Sequence, residues 1–168
     1  MLSTVSETVT TMPDGPRYED DFFAWTQHQA MVLRSMAVAD NRFDRENVAE
    51  EIESLGRSER DAVRSQIRRI IEHFLKLACS PAQQPRFDWM APIVEARSTP
   101  GDKISPTLRR DAETMLARLY CDGRHLAELA LRGYGESQAA DTLPQHCPYS
   151  LDDIFREDWY PEPPGEQP

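Results

Sequence analysis

The chain has 168 residues, 39% of them apolar and 29% charged, with a formal net charge of −10 and a pI near 4.8. That length suits one domain with a real core, while the negative excess repels phosphate backbones and disfavours nucleic acid and anionic membranes as partners. No apolar run approaches the ~18 residues of a membrane span, and the opening MLSTVSETVTTMPDGP lacks the basic and apolar regions of a signal peptide, so the expected location is cytoplasmic.

Residues 1–16 are rich in Ser, Thr and Pro without a period and read as a disordered tail, leaving residues 17–161 as a single helical domain. The first helix is expected from Tyr18 to about Asp40, with Glu19, Asp20 and Asp21 at its positive end. Phe22, Trp25, Gln29, Val32, Leu33 and Met36 recur at three- and four-residue steps and mark its packing face, with His28 outside it on the surface. The short link from Asn41 to Asp44 favours an antiparallel neighbour.

That neighbour is the longest periodic stretch, Phe43 to Cys79, which contains no proline and a single glycine. Val48, Ile52, Leu55, Ala62, Val63, Ile70 and Leu77 share one side of a 3.6-residue helix. Asp44 is a fair N-cap. Unbroken, the helix would have about 35 residues and span on the order of 50 Å, longer than a compact domain of this size needs. Gly56 therefore marks either a kink or the close approach of another helix, and the excess length points to a break there or to a partner chain. Past Ile67 the apolar arc widens through Ile71, Phe74, Leu75 and Ala78, so this end is expected to be the best buried.

A turn follows in SPAQQP, Ser80 to Pro85. The next short helix, Phe87 to Arg97, turns Trp89, Ile93 and Val94 to the core, with Pro92 tolerable only within its first turn. STPGDK, from Ser98, is a loop. Ser105 as N-cap and Pro106 at the first helical position start a further helix, which runs to about Leu131 before Gly133 and Gly135. Its core face is Leu108, Ala112, Met115, Leu116, Leu119, Leu126, Ala127 and Ala130, with His125 pointing away. In CPYSLDDIFREDWYP, Ser150 and Asp153 match the capping pattern, and Trp159 and Tyr160 are expected to dock on the bundle. Residues 162–168 form a second polar tail. The fold class is thus all-α, a small helical bundle on one long central helix with short accessory helices.

The run NVAEEIESLGRSERDAV, the H-F-L-K-L segment around His73, Trp89 in its own short segment and the ending CPYSLDDIFREDWYP together resemble the bacterial family called domain of unknown function 29. The resemblance covers about Tyr18 to Pro161 and implies an all-helical bacterial protein, with no established reaction. Leu77 departs from the family's pattern, which carries tryptophan there; the change bears on packing rather than chemistry.

Chemistry has few places to reside. Cys79, Cys121 and Cys147 lack C-x-x-C spacing and read as reduced, mostly buried small apolar residues; the histidines at 28, 73, 125 and 146 form no H-x-x-x-H pair, and no E-x-x-H pair of a di-metal bundle occurs. No metal or cofactor is expected. The anomaly is a polar seam, Glu59, Gln66 and His73, at seven-residue steps beside Ile52 and Leu55, where a core would want apolar residues. It is satisfied within the fold by groups such as Asp122, or fixes the register of a subunit interface, or belongs to a metal or acid/base site at His73. The opposite face runs from Glu46, Glu50 and Glu53 into Arg57, Arg60, Arg64 and Arg68 within an arc of roughly 80°. Antiparallel copies would set acids against arginines, a two-fold pairing. The leading expectation is a protein-protein interaction module that homodimerises through its long helix or binds another protein; the alternative is a metal-dependent or acid/base enzyme centred on His73.

Overall fold

The computed structural model describes residues 15–37, 40, 42–82, 85–98 and 104–165. Residues 1–14 of the first expected tail (1–16), 166–168 of the second (162–168), most of the STPGDK loop and part of SPAQQP lie outside these residues. The elements are α1 (Phe22–Ser35), α2 (Arg45–Cys79), α3 (Arg86–Ser98), α4 (Pro106–Gly133), α5 (Ser137–Asp141) and α6 (Leu151–Phe155), with no strand among the described residues. The architecture is all-α on one 35-residue helix, as the periodicity predicts. Packing divides the chain at Gly56 into two compact units, Met1–Gly56 and Arg57–Pro168, and α2 contributes to both.

In the first unit, α1 is shorter than its periodicity predicts. Asp21 accepts from Ala24 N at 2.9 Å and so caps the helix rather than joining its first turn, and Met36 leaves it in an extended conformation with ψ 137°. At the head of α2, Asp44 accepts from Asn47 N at 3.2 Å, the expected cap. Arg34, near the end of α1, reaches Glu46, Glu50 and Glu53, while Thr26, near its start, lies against Gly56. The two helices are therefore antiparallel. A Cβ on Gly56 would collide with Thr26 Oγ1, so this glycine permits close approach, and α2 runs through it as one uninterrupted element.

The contact inside this unit uses small residues: Thr26, Ala30, Ala49 and Gly56 are its buried positions among the described residues. The apolar face expected to pack here does not. Val48 and Leu55 are 37% and 57% exposed, and Ile52, Trp25, Val32 and Leu33 are only half-buried. Close helix approach explains the discrepancy, because the backbones meet where side chains are smallest and the large residues are left beside the seam. His28, expected on the surface, is half-buried with its ring over Gly15.

The second unit has a conventional core. Ile67, Ile70, Ile71, Phe74 and Leu75 of α2 are fully buried, as the widening apolar arc predicts. Each such side chain contributes about 1.5–3 kcal/mol of transfer free energy. Trp89, Ile93 and Ala96 form the buried side of α3; Val94, expected there, is 56% exposed, and Pro92 lies inside the helix rather than in its first turn. The buried side of Trp89, Ile93 and Ala96 holds the helix together although Pro92 donates no backbone hydrogen bond.

In α4, Ser105 accepts from Leu108 N at 3.3 Å, Pro106 occupies the start, and Leu108, Ala112, Leu119, Ala127 and Leu131 are buried. Leu126, expected in the core, is 37% exposed, and Tyr120 and Gly123 take part of the buried face instead. A Cβ on Gly123 would stand 2.9 Å from the carbonyl oxygen of Arg68, so α2 and α4 cross there almost backbone to backbone. The helix α5 went unforeseen because SQAAD is too short to show a period. Ser150 and Asp153 form the full capping box at α6. Trp159 then stacks edge-on against Phe74 at 5.2 Å, the docking expected of it.

Candidate functional site

The polar seam lies on the part of α2 that belongs to the second unit. Glu59, Gln66 and His73 are all half-buried. Gln66 Oε1 and His73 Nδ1 are individually buried and have no hydrogen-bond partner among the described residues. Burial, reinforced by the nearby Lys76 and Arg69 cations and only partly opposed by Glu72, lowers the His73 pKa from 6.5 to about 4. At neutral pH the ring is uncharged, with one nitrogen able to donate and the other to accept. Asp122, the expected partner of the seam, instead faces Arg118 on its own helix at 3.4 Å.

Two neighbours of His73 stand out in the structure. Lys76 is 5% exposed, and its Nζ donates to Glu72 Oε1 at 2.8 Å, one turn back. The sequence signal was available, a lysine in an otherwise apolar stretch with a glutamate four residues earlier. The pair consumes the nearest carboxylate. Among the described residues no group is bonded to His73 Nδ1. Among the described residues, no three His, Cys, Asp or Glu side chains gather to hold a metal ion.

The charge-split face is engaged within the chain at several points. In the first unit, Arg34 forks onto Glu53, with Nη2 donating to Oε2 at 3.0 Å, and stands 3.6 Å from Glu46 and 3.5 Å from Glu50. The Glu53 hydrogen bond, more than the general field of the acids, raises the Arg34 pKa. In the second unit, Arg64 forks onto Asp111 of α4 at 2.8 and 2.6 Å, and Arg60 pairs with the adjacent Asp61. Arg57 is half-buried and Arg68 is exposed.

The hairpin of α1 and the start of α2 has two unlike flanks. On each helix the large apolar residues lie roughly 90° round from the small-residue contact in the same rotational sense, at 100° per residue. Because the helices are antiparallel, the same sense brings Phe22, Trp25, Val32 and Leu33 of α1 and Val48, Ile52 and Leu55 of α2 to one side. Arg34 and its three acids occupy the other. One flank is closed by ions and the other is an apolar face left partly open.

Two further features are structural. Arg97, singled out by no sequence pattern, donates to the carbonyl oxygens of Ile154 and Glu157 at 2.9 Å, Trp159 at 3.0 Å and Asp153 at 3.2 Å. Its guanidinium also lies 5.3 Å from the Phe74 ring centre and 5.2 Å from that of Tyr160. Desolvation lowers its pKa, and the contacts fasten the C-terminal segment. The cysteines are free: Cys79 and Cys147 are half-buried, burial pushing both thiols up, and Cys121 is exposed rather than buried. Neither Cys79 nor Cys147 carries the lowered pKa of a reactive thiolate.

No helix among the described residues is long and apolar enough to cross a membrane. An α-helical protein of unknown function from Rhodospirillum rubrum, solved by crystallography, superposes with a TM-score of 0.75 and 28% identity, over 86% of this chain and 92% of that one. No curated protein matches the chain. Residues 17–160 match the family described as Domain of unknown function DUF29, which takes in both units and the seam, and the chain belongs to that family.

Proposed function

We propose that the protein is a helical interaction module that forms a homodimer through its long helix and the hairpin that helix builds with α1, in a cytoplasmic setting. The observation that carries this reading is that no large apolar side chain of the first unit is buried among the described residues. Met31, Met36, Phe43, Val48 and Leu55 are each between 37% and 57% exposed. A two-helix hairpin held by Thr26, Ala30, Ala49 and Gly56 buries little apolar area, and isolated elements of this kind gain stability by packing against others. Two such hairpins laid face to face make a four-helix arrangement with a two-fold axis, the commonest oligomer symmetry. The contact runs along the apolar flank rather than the charge-split face, because Glu53 and Arg64 already have partners in their own chain.

Mass measured in solution across a concentration series tests this. The full chain should sediment as a dimer, and Leu55→Glu should shift it to monomer while helical content stays unchanged. A monomer at every concentration would refute the proposal. The rival, an acid/base or metal-dependent enzyme centred on His73, has the unpartnered Nδ1 in its favour. Metal bound by the purified chain and lost in His73→Ala would favour that rival.

A further inference from the structure

We infer that the two copies meet α2 against α2, antiparallel, with the two-fold axis passing beside Ile52. The inference rests on the dimer reading above and specifies its geometry. The first observation is exposure. Val48 and Leu55 of α2 are 37% and 57% exposed, whereas Trp25, Val32 and Leu33, which α1 contributes to the same flank, are half-buried. The ridge of the flank is therefore α2, and α2 reaches a facing copy first.

The second observation is spacing. Val48, Ile52 and Leu55 follow steps of four and three residues, the pattern by which a helix keeps one seam against another. The stripe is short and centred between Glu51 and Ile52. Turned end for end about that point, Val48 falls on Leu55 and Ile52 comes within one residue, about 1.5 Å along the axis, of its own copy, so an identical chain supplies the apolar partner each residue lacks.

The third is charge. Glu46, Glu50 and Glu51 crowd the first turns of α2, all three of them exposed. Parallel copies would set these acids side by side and align the helix dipoles. Antiparallel copies separate the acids and oppose the dipoles.

Cysteine cross-linking in the full chain distinguishes the arrangements, with the unsubstituted chain, whose Cys121 is exposed, as the background. Under mild oxidation Ile52→Cys should double its mass on a non-reducing gel. A mixture of Val48→Cys and Leu55→Cys should cross-link more than either variant alone. Leu55→Cys alters an exposed position, so its folding is not in question. Self-linking of Val48→Cys and of Leu55→Cys, with no gain on mixing, would mean parallel copies and overturn the inference. A dimer by mass in which Ile52→Cys fails to link would place α2 elsewhere, overturning the register while sparing the dimer. A monomer by mass removes both.

Discussion

The two halves of α2 lead different lives although they are one helix. Before Gly56 it meets α1 through a glycine and small residues, its large apolar side chains stay at the surface, and ions close the far flank. After Gly56 it is surrounded, with Ile67, Ile70, Ile71, Phe74 and Leu75 at 0% exposure. Packing accounts for the contrast. Backbones that approach closely gain dispersion contacts but bury little side chain, whereas wider helix spacings are filled by large residues and bury much more. The second unit carries the stability of the fold, and the first has surface to spare.

The contrast is tested most severely in the second unit. Phe74→Ala removes a ring packed against Tyr149 and Trp159 and facing Arg97, and should cost about 3–5 kcal/mol in denaturant unfolding. A cost below about 1 kcal/mol would mean that this core is not where the stability lies. Gly123→Ala drives a Cβ against the Arg68 backbone, which cannot swing aside, and should cost about 1–3 kcal/mol. At the other crossing, Gly56→Ala meets the end of the Thr26 side chain, so Thr26→Ala should relieve much of its penalty; a double-mutant cycle without coupling would contradict that contact.

Acid should loosen the second unit through His73. Its folded pKa of about 4 lies below the ordinary 6.5, so the folded state binds fewer protons. The stability this group contributes is complete above about 6.5 and is lost as pH falls towards 4. The groups that face it are Lys76, Glu72 and Arg69, with Lys76 held by Glu72. His73→Gln should flatten the dependence of unfolding free energy on pH in that window, and an unchanged slope would exclude His73 as its source. The smallest effect belongs to the first unit. Arg34→Gln breaks the ion pairs of an exposed guanidinium and should lower stability only slightly, less still in high salt.

Much of the fold was legible in the chain. The caps at Asp44, Ser105 and Ser150 stand where short polar side chains precede apolar periods, and such signals act within four residues, so tertiary context seldom overrides them. The faces were less legible. Val48, Ile52 and Leu55 read as core because apolar spacing identifies an amphipathic side without saying which arc of it meets a neighbour. Gly56 signalled either a kink or a close approach, and the structure chose the latter because its partner, Thr26, belongs to another helix.

For the candidate site the division is similar. The sequence by itself determined the long α2, the polar seam of Glu59, Gln66 and His73, and the family, because periodicity and local motifs are properties of consecutive residues. Only the tertiary structure decided that Lys76 is buried beside His73 and that Arg97 gathers four backbone carbonyls from the C-terminal segment. The Arg97 contacts join groups more than fifty residues apart, which meet only through packing, whereas Asp122 with Arg118 and Lys76 with Glu72 are partners four residues apart on one helix. It likewise left Val48 and Leu55 at the surface while Val63, Ile70 and Leu77 of the same stripe are buried, since small residues won the place where two backbones could come closest.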